Sequence, residues 1–459
     1  MAGIGFELRK VFHKESLLSK IKGVAFASMA TIGPTVTFIL LLLAIRVFMD
    51  VLGVLEAAEH FFSSACLYIF VMATMISSML NTISARFTAD MLYEEKEEYI
   101  PSAMYGTVFL AVILSALFGF IMCCLLYFRY GVPLTFLAGY YLFGIMITVT
   151  YTAMTFISAI KEYMKITRSY ISGILMACIM GIVFYLLGMD AILCIVYALT
   201  IGFFVINVRL IYYVISYFQE SNKKFFVFLS YYKKYPALFL SGVFYILGLY
   251  ISNIIYWFLS DISEVITIFH VAPAYDMATF MAIIVNLPAT VIFVVKVETE
   301  IFLTYKKYVS AVNNAGYEKI EKYRDIMSNT ISVQLFFVYE IQLIIAVILT
   351  CLSIFFFPMI GLGGLTLDFF LLLGIAYYCI FSMYFTIVIL YYFDDRKGSC
   401  VAAGVFLLVT IVAALCAVRG GVGYYALAPL LGSLAGWCIA FFRLRNVLAN
   451  INARLFCRE

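Results

Sequence analysis

The chain has 459 residues, 65% of them hydrophobic and only 12% charged, with a formal net charge of +4. Soluble domains carry about a quarter charged residues, so this composition excludes a water-soluble fold and requires an integral membrane protein. No basic patch is interleaved with exposed aromatics, which speaks against nucleic acid as a partner.

Residues 1–22 place Ile4, Leu8, Val11, Phe12, Leu18 and Ile21 at helical spacing, with Arg9, Lys10, Lys14, Lys20 and Lys22 on other faces. The pattern predicts a basic amphipathic helix on the inner leaflet, or equally a plain cationic anchor. The segment is too charged, and the apolar run after it too long, for a cleavable signal.

Twelve apolar runs follow, at roughly 24–49, 61–87, 101–127, 133–159, 169–188, 191–216, 236–259, 274–297, 331–357, 367–392, 400–418 and 424–442. Each has about twenty residues or more, enough for a hydrocarbon core of about 30 Å. The expected fold class is therefore all-α, a polytopic membrane protein of about 12 transmembrane helices. Every Lys and Arg except Arg46, Arg129 and Arg419 falls on one side of this series. Cations are hard to translocate, so both termini are expected in the cytoplasm and the protein in the cytoplasmic membrane. Loop 88–100 is acidic yet assigned inside, because acidic residues contribute little to orientation. The longest connection, 303–330, is expected to be a charged cytoplasmic helix.

The chain divides near residue 225. Lys20 and Lys22 precede the first span as Lys233 and Lys234 precede the seventh, and Asp50 and Asp261 close the same two spans. Arg86 and Asp90 end the second span with the spacing at which Lys296 and Glu300 end the eighth. Six spans per half is an even number, so both halves enter the membrane in the same direction. The expectation is a parallel repeat: an N-lobe over 23–225, helices 1–6, and a C-lobe over 226–459, helices 7–12.

Within the spans, Gly33-Pro34 predicts a kink near the middle of the first helix, and Asn286 with Pro288 a second break in the eighth. Gly33, Pro34 and Pro288 are the candidate gating positions. Ionisable groups at membrane depth are costly, which singles out Glu340, flanked by Gln334 and Gln342. With Asn286 and Asn253 these form the candidate substrate path. Arg46 and Asp276 lie near outer ends, where snorkelling explains them as well. Gly432 and Gly436 form a G-x-x-x-G that suggests close helix packing. Asp394-Asp395 reads as a solvated inner turn. The many tyrosines offer a stacking face and a hydroxyl to sugars, although most suit interfacial belts or packing.

The eleven cysteines are mostly inside apolar runs without a C-x-x-C pair, and His13, His60 and His270 are scattered, so no metal site is expected. There is no Walker loop, G-x-S-x-G or H-E-x-x-H, so neither a cofactor nor an enzyme activity is expected.

Three stretches carry a family resemblance: M-A-G-I-G-F-E-L-R-K from Met1 to Lys10, the Gly33-Pro34 break, and Val297-Glu298-Thr299-Glu300-Ile301-Phe302 followed by Tyr305-Lys306-Lys307-Tyr308. Together they resemble the family of Pel exopolysaccharide exporters, a branch of the multidrug/oligosaccharidyl-lipid/polysaccharide flippase superfamily. The resemblance implies two six-helix lobes around a central cavity and outward movement of a hexosamine-rich polymer. It also implies partners: a cytosolic UDP-sugar glycosyltransferase and Pel membrane subunits, one of them a cyclic-di-GMP receptor. Arg9, Lys10, Glu298, Glu300, Lys306 and Lys307 are the candidate docking residues for such partners. The expected function is export of a Pel-like polysaccharide, by alternating access or as a guided channel. The alternatives are a lipid-linked oligosaccharide flippase, a cation-coupled drug antiporter, and a non-transporting scaffold of a polysaccharide synthase complex.

Overall fold

The computed structural model describes residue 33 and residues 41–42, 44–160, 163–359 and 361–456. Eleven helices among them are long and apolar enough to cross a membrane. They are α1 (Glu56–Tyr93), α2 (Tyr99–Tyr130), α3 (Leu134–Ile160), α4 (Tyr163–Leu186), α5 (Ala191–Tyr217), α6 (Pro236–Leu259) and α7 (Pro273–Ile292). After α8 (Thr299–Asn314) come α9 (Tyr317–Met359), α10 (Leu365–Tyr392), α11 (Arg396–Gly420) and α12 (Leu427–Ala449). All of these except α8 are candidate spans, and they match the last eleven apolar runs of the sequence. Most of the first expected span, with residues 1–22 and Pro34, lies outside the described residues, although 44–51 are helical.

Helix ends follow local chemistry. α2 stops at Gly131, whose φ of +64° lets its N–H turn back to the carbonyls of Leu126 and Tyr127. α7 starts with Pro273, whose fixed φ and missing N–H suit a first helical turn. From Tyr317 to Phe357 there is neither Gly nor Pro, and α9 runs unbroken for 43 residues, about 65 Å at 1.5 Å per residue, with Pro358 in its last turn. The 303–330 stretch is thus not a separate loop. It is the end of α8, a short turn through Ala315 and Gly316, and the first turns of a helix that continues into a span.

Two compact units are present. The N-terminal unit comprises Gly33–Ile246 with Glu264–Val271; the C-terminal unit takes Leu247–Ser263 and the chain from Ala272 on. In the N-terminal unit α3 packs against α1, α2 and α5, and α5 against α4. In the C-terminal unit α10 packs against α7, α9 and α12, and α12 against α11. The order is the same, element for element. The close approach of the last pair also recurs. A Cβ on Gly173 of α4 would lie 2.5 Å from the Gly202 carbonyl oxygen of α5. A Cβ on Gly436 of α12 would lie 3.1 Å from the Ala402 oxygen of α11, and one on Gly432 2.9 Å from the Phe406 oxygen. The G-x-x-x-G therefore serves helix contact.

Two features depart from expectation. The connection after α6 forms a hairpin, β1 (Glu264–Ile266) and β2 (Phe269–Val271), antiparallel with Ile266 opposite Phe269. Its Phe269 is fully buried among Phe61, Tyr68 and Tyr140, with ring centroids 5.9, 5.0 and 6.4 Å away. The second departure is at Pro288. The α-helix does not break there but runs on to Ile292, then widens into a π-helix over Phe293–Glu298. Proline removes one donor, and the helix tolerates that loss when flanked by packed neighbours.

Candidate functional site

Several polar side chains of the C-terminal unit meet along the contacts of α6, α7, α9 and α10. At the start of α7, Asp276 accepts hydrogen bonds from Asn253 Nδ2 (2.7 Å to Oδ1), from Trp257 Nε1 (3.0 and 2.9 Å) and from the Ala272 N–H (3.0 Å to Oδ2). Asn253 and Trp257 are four apart on α6, so one helix face presents both donors. Asp276 lies near a helix end as expected, but its carboxylate is engaged by these three donors rather than snorkelling, and the signal was that i, i+4 pair on α6. Asn253 is buried, and its Oδ1 has no hydrogen-bond partner.

Further along α7, Asn286 donates to the carbonyls of Ala282 (2.9 Å) and Gly374 (3.4 Å) and accepts from Gln342 Nε2 at 3.0 Å. Gln342 also reaches the Tyr378 carbonyl at 3.4 Å. Both residues are 1–2% exposed. One turn away, Tyr339 shares a 2.6 Å hydrogen bond with Thr386, and Tyr378 donates to the Tyr339 carbonyl at 3.3 Å. The Trp437 ring of α12 stands edge-on to both tyrosines. Beyond the π-helix, Gln334 Nε2 donates to the Glu300 carboxylate.

Three amides therefore share one state. Asn253, Gln334 and Gln342 commit their N–H groups to acceptors and keep a buried carbonyl oxygen without a partner. Their orientation is set by acceptors: the Asp276 and Glu300 carboxylates hold Asn253 and Gln334, and Asn286 Oδ1 and the Tyr378 carbonyl hold Gln342. Such oxygens can accept a hydrogen bond from water or from a hydroxyl group.

The structure brings Asn286 together with Gln342, Asn253 with Asp276, and Gln334 with Glu300. It does not bring Glu340 to any of them. Glu340 is exposed on the side of α9 that carries Phe336, Leu343 and Ile344, two positions and so roughly 200° round the helix from Gln342. Gly33 is helical and faces Thr167 of α4, where a Cβ would lie 2.8 Å from the threonine side chain. Lys306 and Lys307 are exposed on α8. Arg9, Lys10, Pro34 and the side chain of Glu298 lie outside the described residues.

A second long-range pair went unread in the sequence. Asp395, expected in a solvated turn, is buried and held by both Nε and Nη2 of Arg443. Only its neighbour Asp394 makes the expected turn, at a φ of +53° and paired with Arg396. Among the described residues no group of three His, Cys, Asp or Glu side chains is placed to hold a metal ion.

Comparison with solved structures finds transporters. A multidrug resistance MATE family transporter of the MOP superfamily, in an outward-facing conformation, aligns with a TM-score of 0.66 at 11% identity, over 94% of this chain and 96% of that one. A MOP superfamily transporter from Pyrococcus furiosus Vc1, described as having a binding pocket of reversed polarity that suggests a different function, gives the same score, identity and coverage. At such identity the likeness is one of fold. No curated protein matches the sequence. The model of the PelG family, "Putative exopolysaccharide Exporter (EPS-E)", matches residues 1–456. Family and fold together indicate a membrane transporter rather than an enzyme, and the chain belongs to the PelG exopolysaccharide exporter family.

Proposed function

We propose that this protein exports a Pel-like, hexosamine-rich exopolysaccharide across the cytoplasmic membrane. The observation that carries the mechanism is the recurrence of one helix-packing order in two units. A parallel repeat of this kind is a common architecture of transporters, and it supports export by alternating access or as a guided channel. The sorting of Lys and Arg supports an orientation with both termini in the cytoplasm.

In this reading the polymer meets few charges, and hydroxyl-bearing sugars are met by amide oxygens and tyrosines. Glu340, Asn286, Asn253, Gln334 and Gln342 remain the proposed path residues, with Gly33, Pro34 and Pro288 as the bending positions. The π-helix after Pro288 supports such a role, because local widening of an α-helix is frequent at functional sites. The exposed Lys306 and Lys307 on α8, with Arg9, Lys10, Glu298 and Glu300, would dock the cytosolic glycosyltransferase and the Pel membrane subunits.

Deleting the gene in its host tests the reading. Polymer should accumulate inside cells while synthase activity persists and external polymer disappears. Unchanged external polymer would overturn it, and raised tolerance to cationic dyes on expression would favour the drug antiporter instead.

A further inference from the structure

The connection from α5 to α6 is built in a way that its length alone does not require. Ser102 at the start of α2 donates to Asn222 Oδ1 and meets Ser221 Oγ, each at 2.9 Å. Asn222 also accepts from the Lys224 N–H at 3.0 Å and donates its own N–H to the Glu98 carbonyl at 3.2 Å. Between them Lys223 takes a φ of +60°, a conformation a non-glycine residue adopts at a cost and keeps only when its surroundings hold it there. Phe228 is fully buried as an anchor, and the Phe225 carbonyl oxygen lies 1.9 Å from where a Cβ on Gly106 would be. The connection is thus pinned flat against α2.

What it presents outward is apolar. Phe225 and Phe226 are more than 40% exposed, although pinned. Their rings meet Tyr105 and Phe109 of α2 at 6.4 and 6.2 Å between centroids. Phe109 begins an exposed stripe that continues through Ile113, Leu117 and Phe120. Only 17% of the most apolar 18-residue stretch of α2 is buried, and the stripe holds no polar residue, as a face turned to lipid requires. Phe225 and Phe226 extend that stripe by one step at its end. Immediately before them stand Lys223 and Lys224, and Lys233 and Lys234 follow in the same connection, all exposed. An apolar patch continuous with the lipid-facing surface and edged by lysines matches the boundary where acyl chains give way to phosphates.

We propose that the 218–235 connection is a binding surface for the headgroups of anionic phospholipids. Lys223 and Lys224 meet the phosphates, and Phe225 and Phe226 sit among the upper acyl carbons. A soluble protein partner is disfavoured here, because the phenylalanines lie in line with a lipid-facing stripe. The inference requires only that α2 spans the membrane, so it stands or falls separately from the identity of the cargo.

Native mass spectrometry of the full chain in mild detergent, titrated with phosphatidylglycerol or phosphatidylcholine, tests it. Phosphatidylglycerol adducts should form more tightly than phosphatidylcholine adducts. The K223Q/K224Q variant should lose about fivefold in phosphatidylglycerol affinity for each lysine, and K223R/K224R should restore it. Phe225→Ala with Phe226→Ala should weaken adducts of both lipids. Equal phosphatidylglycerol binding by wild type and K223Q/K224Q would overturn the proposal. So would full displacement of the lipid by inorganic phosphate alone, which assigns the lysines to a free anion. Unchanged adducts in K223Q/K224Q with loss of a co-purifying synthase subunit would assign the surface to a protein and overturn it as well.

Discussion

Arg443 grips Asp395 at two points, Nε to Oδ2 at 2.7 Å and Nη2 to Oδ1 at 3.1 Å, across 48 positions of the chain. The pair joins the start of α11 to α12 and leaves the carboxylate side chain only 6% exposed. Removing the guanidinium strands a buried charge, so Arg443→Met should cost about 3 kcal/mol of stability. That is the lower end for a broken buried pair, since Arg443 itself keeps contact with water. Arg443→Lys should recover part of the loss, because a point charge replaces a planar fork. Unfolding curves in detergent check both.

Gly398 offers an independent way to break the same pair. A Cβ there would lie 2.2 Å from Asp395 Oδ2 and 2.5 Å from Arg443 Cγ. Gly398→Ala should therefore destabilise about as much as Arg443→Met. The double variant should lose little more than either single one, because the two act on one interaction. Additive losses would show that Gly398 matters for another reason.

Asn286 and Gln342 differ in how much each would leave behind. Asn286 satisfies the Ala282 and Gly374 carbonyls and the Gln342 amide. Asn286→Leu leaves a buried donor on Gln342, with a cost of about 1–3 kcal/mol. Gln342→Leu should cost less, because Asn286 keeps both of its carbonyl partners and the unpaired Gln342 oxygen is exchanged for an unpaired Asn286 oxygen. If the two amides also line the export path, external polymer should fall in both variants, including the stable one. Melting temperature measured beside secreted polymer separates the two effects.

The parts of the fold readable in sequence were those set by local physics. Apolar run length against bilayer thickness placed α1 to α7 and α9 to α12, and the glycine spacing at 432 and 436 marked a helix contact. What stayed hidden depends on residues far apart. Phe269 shapes a hairpin because Phe61, Tyr68 and Tyr140 surround it, and Asp395 is buried because Arg443 arrives from another helix. Glu340 shows the limit for the site: its place within a long apolar helix was legible, whereas the face of α9 it occupies depended on how that helix packs.

Glu340 separates a structural from a functional role cleanly. It is exposed among apolar neighbours and makes no ion pair among the described residues, so Glu340→Gln should leave stability within about 0.5 kcal/mol of wild type. A charge kept at such a position at a cost is expected to serve transport. Secreted polymer should therefore drop severalfold in Glu340→Gln while the melting temperature stays put. Normal export would remove Glu340 from the substrate path.

The hairpin gives a last test, confined to the N-terminal unit. Tyr68 Oη accepts from the His270 N–H at 3.1 Å and donates to the His270 carbonyl at 2.9 Å, so one side chain completes both backbone bonds of a strand residue. Tyr68→Phe keeps the ring against Phe269 but leaves those two backbone groups without it, at about 1 kcal/mol for each bond. Phe269→Ala empties the aromatic cage and should cost about 3–5 kcal/mol. Amide hydrogen exchange distinguishes the roles. Tyr68→Phe should speed exchange at His270 alone, whereas Phe269→Ala should release the whole stretch from Glu264 to Val271. If Phe269→Ala leaves protection of that stretch unchanged, the hairpin is held by its own turn rather than by the cage.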